Sequence, residues 1–399
     1  MVKTTFRLML ICLAVLSLTE LNFAQITTGA SFLQIAPDSR GGAIGESGAG
    51  LADNSAAIFW NPAGLAFQTG TELSVTHSNW LPQFNLDLFY DYLTYKEYFK
   101  ELQGTVSASI TYMNYGQFVR TGENPAPGGG PEVLGTFKSF DAALTVGYAT
   151  KVAPDWGLGF NFRVIHSHLS DQGAGAEVGN GVATTVSFDI GGMWRPAKLV
   201  IPFTDEDIGD RFSVGLNLSN LGPKIYYIDR AQADPIPTNF RLGFAYKVFD
   251  DQYNSLNYTI DFSKLLVHEI PGDTALGTPS QTDEFYKAIF TSWTSNSIAE
   301  NFRSIQTSMG LEYWYGIPGD FQFALRTGFF YEDPSYGDRK FISFGAGIRY
   351  DVYGFDFSYI STDIFKGQEN SPLSNTLRFS LIVAWGGVPQ KTLGFPRGI

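Results

Sequence analysis

The chain has 399 residues, including 43 glycines, 34 phenylalanines and 20 tyrosines, and only 17% of its residues are charged, whereas soluble proteins carry roughly 25%. A net charge of −12 and the lack of clustered Lys and Arg argue against a nucleic-acid partner, because phosphate binding needs grouped cations. The only cysteine, Cys12, lies in a segment that we expect to be removed, so disulfides and zinc–thiolate sites are excluded from the mature chain.

The first 24 residues have the layout of a secretory signal peptide. Lys3 and Arg7 precede the apolar run Leu8–Leu18, and Ala24 provides a small residue for cleavage. The apolar run is shorter than the about 20 residues that a membrane-spanning helix needs. We therefore expect residues 1–24 to direct export and then to be cleaved.

Alternation of apolar and polar residues with a period of two is the strongest pattern in the chain. Between Ser139 and Lys151, even positions such as Leu144 and Val146 are mostly apolar, whereas odd positions are small or polar. Because successive side chains of a strand point to opposite faces, this pattern predicts a wall between lipid and lumen. The fold is predicted to be all-β, an antiparallel transmembrane barrel of about fourteen strands within residues 71–386. The predicted strands are 72–78, 84–96, 104–118, 139–151, 156–169, 183–195, 212–221, 238–249, 255–266, 308–315, 320–331, 340–350, 353–361 and 375–386.

The lengths of the connections support an outer-membrane location. Bacterial outer-membrane barrels have short periplasmic turns and longer outer loops. From the third strand onward the predicted links alternate in this way. The short ones are 152–155, 250–254, 316–319 and 351–352, and the long ones are 121–138, 170–182 and 267–307. Two links break the rule, since 196–211 is long on the periplasmic side and 79–83 is short on the outer side.

The main alternative fold is a soluble β-sandwich. Isolated charges on the non-apolar face of the predicted strands favour a barrel over that alternative. Between two sheets, each ion would cost several kcal/mol unless it was paired, whereas a hydrated or plugged lumen accommodates ions at little cost. The charges are Arg163, Asp189, Arg241, Asp261, Arg326, Arg349, Asp356 and Arg378.

Residues 25–70 lack strand alternation and are interpreted as a hatch, a plug folded into the barrel. Their glycines do not form a phosphate-binding loop, because no strand precedes them and no Gly-Lys-Ser/Thr follows. Asp53 or Asn54 is predicted to cap a short helix through Ala57 to Trp60, followed by Asn61 and by Pro62, which ends the helix.

The hatch also carries a family resemblance. Leu51–Ala66 (LADNSAAIFWNPAGLA) resembles the amino-terminal hatch of FadL-type barrels, which have fourteen strands. With Ile35–Gly45 (IAPDSRGGAIG), it is more similar to the PorV branch of the PorV/PorQ family in type IX secretion. Arg163–Gly173 and Gly179–Gly191 are similar to the fifth strand, outer loop and sixth strand of that branch. Many outer-membrane barrels end on an aromatic residue. In this chain further residues follow the aromatic Trp385, and residues 387–399 are predicted to form a periplasmic tail.

The resemblance implies a non-enzymatic carrier in the outer membrane, surrounded by outer-membrane lipid. Such a carrier docks on the large type IX translocon barrel and binds the C-terminal signal domains of secreted cargo proteins. It hands them to a surface attachment complex that includes a sortase-like protease. An alternative is a FadL-like transporter of hydrophobic small molecules, and a plain porin ranks last because the hatch would obstruct it. No cofactor is expected.

The histidines do not assemble a catalytic or metal site in the sequence. His166 and His168 lie two residues apart and so share a face, which could hold a metal ion. They also extend the lipid-facing series that contains Phe160 and Phe162, where an interfacial girdle is expected. His77 and His268 have no partner at a recognisable spacing, so neither catalytic residues nor metal ligands are assigned.

The longest outer segment, 267–307, has a helical pattern. Thr282 or Asp283 is predicted to cap a helix whose apolar stripe is followed by further apolar residues. This segment either packs over the barrel mouth or forms a docking surface for a partner. The candidate partner-binding residues are Phe285, Ile289, Trp293, Ile298 and Phe302. The Gly- and Pro-rich residues 122–135 are interpreted as a flexible outer loop or a linker.

Overall fold

Fourteen strands form one closed antiparallel barrel, as the alternation predicted. The computed structural model describes residues 28–84, 86–122, 130–172, 179–202, 205–272, 280–365, 368 and 371–387. The predicted signal peptide and residues 388–399 of the predicted tail lie outside these ranges. The barrel strands are β1 (Thr71–Asn79), β2 (Phe89–Phe99), β3 (Gly104–Gly122), β4 (Glu132–Ala153), β5 (Trp156–Ser170), β6 (Gly181–Trp194), β7 (Phe212–Leu221), β8 (Asn239–Asp250), β9 (Asn254–Leu265), β12 (Gln306–Gly316), β13 (Phe321–Tyr331), β14 (Lys340–Tyr350), β15 (Tyr353–Ser361) and β16 (Leu377–Trp385).

Pairing of the first strand with the last closes the barrel. In the register of β1 and β16, Thr71 lies opposite Trp385 and Asn79 lies opposite Leu377. Large apolar side chains face outward around the wall, as a lipid-facing surface requires. Examples exposed by 40% or more are Val75, Ile110, Leu144, Val146, Phe160, Phe188, Ile190, Leu325, Phe344, Ile348 and Leu381.

The remaining elements are short and lie in the hatch and the outer loops. The α-helices are α1 (Ser39–Ala43), α2 (Ala57–Trp60), α3 (Phe285–Thr294) and α4 (Ile298–Arg303), and β10 (Glu269–Ile270) pairs with β11 (Gln281–Thr282). Short 3₁₀ helices lie at Ser31–Gln34, Pro62–Phe67, Pro82–Phe84 and Arg230–Gln232. In the described ranges, none of the helices has the length and apolarity to cross a bilayer.

The hydrophobic core lies inside the barrel, between the hatch and the inner wall. Phe32, Ile58, Trp60 and Leu65 of the hatch are buried against inward side chains such as Ile165. Residues 28–35 are near the outer end of the lumen, where the Gly29 amide donates to the Pro235 carbonyl at 3.0 Å. The 3₁₀ helix Pro62–Phe67 packs near the periplasmic start of β5. The hatch therefore runs through the lumen from the outer end of the barrel to its periplasmic end.

The structure corrects two predicted boundaries. β3 and β4 are 19 and 22 residues long, whereas about 9–11 residues cross a bilayer. Because β4 begins at Glu132, residues Glu132–Gly135 of the predicted flexible loop belong to a strand. Residues 123–129 of that predicted loop are outside the described ranges. β2 begins at Phe89 rather than at residue 84, because Pro82 starts a 3₁₀ turn in the first outer link. Outside the membrane, a strand can continue its backbone pairing without alternating apolar and polar side chains. The sequence pattern therefore underestimates how far β3 and β4 extend at their outer ends.

Candidate functional site

A chain of ion pairs joins the hatch to the barrel wall. Arg40 of α1 donates from Nε and Nη2 to the two carboxylate oxygens of Glu312 on β12, at 2.6 and 2.7 Å. On its other side Arg40 pairs with Asp53 of the hatch. Arg326 on β13 donates to Glu312 at 2.8 Å and to Asp356 on β15 at 2.9 Å. All these side chains are buried, so each charge depends on its partners.

Neither predicted residue caps α2, although the helix has the predicted bounds. The residue before it is Ala56, which offers no side-chain cap. Asp53 is instead committed to Arg40, and the Asn54 carbonyl accepts from Gln68 Nε2 at 3.1 Å. The Asp53 carboxylate, which local spacing predicted to cap α2, therefore forms an ion pair with Arg40 instead.

The other predicted hatch residues make close contacts inside the barrel. Trp60 donates from Nε1 to Asp38 at 2.7 Å, and the Arg241 guanidinium lies 5.0 Å from the Trp60 ring centroid. Asn61 Nδ2 donates to the Gly192 carbonyl of β6 at 3.0 Å. Pro62 starts the 3₁₀ turn Pro62–Phe67, so the α-helical conformation ends before it as predicted.

A second tie holds the middle of the hatch. Asp261 on β9 accepts from the Gly48 and Ala49 amides at 2.8 and 2.9 Å. Arg241 on β8 lies 3.5 Å from the same carboxylate. Of the eight charges that alternation placed in the lumen, six are buried, and the other two, Arg241 and Arg349, pair with the buried Asp261 and Asp356. All eight therefore face inward, and several of them contact the hatch.

Arg40 and Glu312 were not selected from the sequence. The two residues are 272 positions apart in the chain, and no spacing rule connects them. The one available signal was Glu312 itself, an acidic residue within the otherwise uncharged predicted strand 308–315. A lone carboxylate in a barrel wall indicates a cation on a neighbouring strand or in the plug.

The outer segment after β9 is anchored to the top of the wall by Lys264. Its Nζ donates to Asn301 Oδ1 at 2.8 Å and to Ser304 Oγ at 2.5 Å, both around α4. The same Nζ lies 4.6 Å from the Trp293 ring centroid, a cation–π contact with α3. Trp293 also packs edge-on against Phe240, with ring centroids 5.8 Å apart. One lysine thus positions both helices over the mouth.

A second anchor lies at the start of α3. The residue before this helix is Glu284, not the predicted Thr282 or Asp283, and it makes no side-chain cap. Asp283 Oδ2 instead lies 2.8 Å from Nδ1 of His268 and accepts from Thr291 Oγ1 at 2.8 Å. Partial burial alone would raise the pKa of Asp283, but these two hydrogen bonds outweigh it and lower that pKa below its usual value. His268 therefore has a partner that sequence spacing did not reveal.

The predicted apolar stripe of the outer segment divides into a packed face and an exposed face. Phe285, Ile289 and Trp293 are half-buried, and Trp293 contacts Lys264 and Phe240 of the barrel. Ile298 and Phe302 on α4 are 78% and 72% exposed. The exposed set also contains two residues of α3 that the sequence interpretation did not select, Tyr286 and Phe290. We call Tyr286, Phe290, Ile298 and Phe302 the outer apolar patch.

Beneath the outer helices lies a cavity of about 960 Å³, the mouth cavity. Its floor consists of hatch residues, including Phe32 near the beginning of the hatch and Glu46 near its middle, and its roof includes Ser292 and Asn296. Aromatic and apolar side chains, amides, hydroxyls and charged groups all contribute to its lining. The lining includes Gln34, Trp80, Met113, Tyr115, Lys264, Val267, His268, Gln306, Glu332, Arg339 and Phe341.

The histidines of the strands lie on the outward surface. His166 and His168 are near the outer end of β5, where both rings lie against Phe140 at 6.1 and 5.3 Å between centroids. His77 pairs with Asp91 at 2.7 Å on the same surface. In the part of the chain that the structure describes, no group of three or more His, Cys, Asp or Glu side chains could hold a metal ion.

Several solved barrels resemble the chain distantly. The monoaromatic hydrocarbon channel CymD is 9% identical with a TM-score of 0.47, covering 90% of this chain and 97% of that one. The Pseudomonas putida toluene transporter TodX is 10% identical with a TM-score of 0.45, at 90% and 98% coverage. A FadL homologue of Pseudomonas aeruginosa is 14% identical with a TM-score of 0.44, at 88% and 98% coverage. No curated protein sequence matches the chain.

The family model for "Type IX secretion system protein PorV" matches residues 19–272, which is more than half of the chain. This match includes the hatch and the first nine barrel strands. With the closed fourteen-stranded barrel, it makes the protein an outer-membrane β-barrel of type IX secretion. The chain belongs to the PorV family of type IX secretion system proteins.

Proposed function

We propose that this barrel is a non-enzymatic carrier for exported proteins. It docks on the large type IX translocon barrel and binds the C-terminal signal domain of the cargo. It then passes the cargo to a surface attachment complex that includes a sortase-like protease. The hatch (25–70) and the barrel (71–386) act in this proposal as one closed platform.

The outer apolar patch carries the proposal. Four large side chains on two adjacent outer helices are more than half exposed, and the helices themselves are held firmly by Lys264. Exposed apolar clusters of this kind mark sites of protein contact. The buried ion pairs of Arg40 in the hatch support the same role, because a plug tied to the wall suits a docking surface better than an open pore.

The mouth cavity favours a second candidate, a FadL-like transporter of hydrophobic small molecules. Its volume of about 960 Å³ and its aromatic lining suit a small apolar ligand. For such a transporter the hatch would have to open during transport, whereas the carrier needs no such movement.

Deletion of the gene tests both candidates. The carrier proposal predicts that proteins with the secretion signal domain accumulate inside the cell and disappear from the surface and the medium. Normal export in the deletion strain would contradict it. Loss of growth on long-chain fatty acids or hydrocarbons, with export intact, would establish the transporter. Crosslinking of intact cells adds a direct test, because the carrier should be recovered with a much larger barrel.

A further inference from the structure

Lys264 lines the mouth cavity and forms no ion pair with any carboxylate of the described residues. Its side chain is buried, with 1% of the residue exposed. Its hydrogen-bond acceptors are the neutral Oδ1 of Asn301 and Oγ of Ser304, and its third neighbour is the Trp293 ring. A buried ammonium group is costly without a counter-ion. Lys264 is therefore a cation that a ligand carboxylate would stabilise.

The other cations around the cavity already have acidic partners. Nε of Arg339 lies 2.8 Å from Glu332 Oε2, and Nδ1 of His268 lies 2.8 Å from Asp283. Glu46 at the cavity floor lies 3.8 Å from the Arg378 guanidinium. Lys264 is therefore the lining cation with which a carboxylate entering the cavity would form an ion pair.

The lining suits a peptide better than an alkyl chain. An alkyl chain needs a uniformly apolar pocket, whereas a peptide backbone needs hydrogen-bond donors and acceptors at intervals. Gln34, Asn296 and Gln306 supply amides, and Phe32, Val267 and Phe341 offer apolar contact. A volume of about 960 Å³ lies at the upper end of the range for ligand sites, so the last few residues of a chain would fit.

We propose that the mouth cavity binds the carboxyl-terminal end of an exported polypeptide, with Lys264 as the counter-ion of its terminal carboxylate. This inference rests on the proposed carrier function and adds the position of contact and its chemistry. The outer apolar patch then binds the folded part of the cargo outside the cavity.

The test uses the full-length barrel in dioleoylphosphatidylcholine nanodiscs and a pool of octapeptides randomised at the last four positions. One pool has free carboxyl termini, an otherwise identical pool is amidated, and laurate is the competing ligand. Retained peptides are counted by mass spectrometry. We expect the free-acid pool to be retained at least about tenfold more than the amidated pool, since a charge-assisted hydrogen bond is lost on amidation. Equal retention of the two pools, or retention of laurate alone, would overturn the proposal.

Three variants locate the charge. Lys264→Met should reduce free-acid retention about tenfold or more, and Lys264→Arg should preserve most of it. Lys340→Met removes an equal charge from a residue that pairs with Asp338 and does not line the cavity, so it should leave retention unchanged. Unheated electrophoresis verifies that each barrel is folded. Wild-type retention by folded Lys264→Met would refute the assignment. If no peptide is retained while gene deletion still blocks export, the carrier function stands and this inference alone fails.

Discussion

Arg40 of the hatch and Glu312 of the wall form a buried bidentate ion pair, with nitrogen–oxygen distances of 2.6 and 2.7 Å. Removing one member of such a pair leaves an uncompensated charge and typically costs about 3–5 kcal/mol. Arg40→Met should therefore loosen the hatch, which would appear as ion conductance in planar bilayers and as earlier proteolysis of residues 28–70 in urea.

The matched control for Arg40→Met is Arg349→Met. Arg349 Nη2 donates to the buried Asp356 Oδ2 at 2.6 Å, so this substitution also breaks an ion pair. Both residues lie on wall strands, β14 and β15, and neither belongs to the hatch. This variant should weaken the wall without opening the lumen. Equal conductance in the two variants would show that the Arg40 pair does not seat the hatch.

Gly191 and Gly192 on β6 provide a test of how closely the hatch contacts the wall. A Cβ atom at Gly191 would lie 2.3 Å from Asn61 Oδ1 and 2.9 Å from Pro62 Cδ, whereas at Gly192 nothing lies within 4 Å. Gly191→Val should displace the Asn61–Pro62 segment and expose the hatch to protease, and Gly192→Val should not. Similar digestion of the two variants would mean that the hatch adapts without leaving its place.

Alternation along the strands was sufficient to predict the barrel, its strand number and the inward direction of charges such as Asp261. The ties between distant segments were not predictable, because Arg40 and Glu312 meet only after the wall has closed around the hatch. Local rules failed where such ties compete with them, as at Asp53, which pairs with Arg40 instead of capping α2. Helical periodicity predicted the outer helices, but it could not determine which face of each helix would pack against the barrel. Phe290 was therefore not predicted to be an exposed residue of the docking surface.

Phe290 and Phe302 of the outer apolar patch should be dispensable for folding and required for export. They are 69% and 72% exposed, so Phe290→Ser with Phe302→Ser should change barrel stability by about 0.5 kcal/mol or less at each site. Surface display of cargo should fall several-fold, measured by quantitative proteomics of washed cells. Phe84→Ser, at a 52% exposed residue in the first outer link, is the matched control and should leave display unchanged. Normal display in the double variant would exclude the patch as a docking surface.

The start of α3 should loosen at acidic pH because of Asp283. Hydrogen bonds from His268 and Thr291 hold the pKa of Asp283 below its ordinary value of 3.8, against the opposing effect of burial. A carboxyl group whose pKa is lowered by folding stabilises the fold above its unfolded-state pKa, and this contribution is lost as the pH falls through the folded-state pKa. We expect hydrogen exchange in residues 281–294, corrected for intrinsic rates, to stay slow from about pH 7 to 5 and to accelerate below about pH 4. Asp283→Asn should remove this acid step and exchange faster throughout, whereas an unchanged step in that variant would assign the transition to another group.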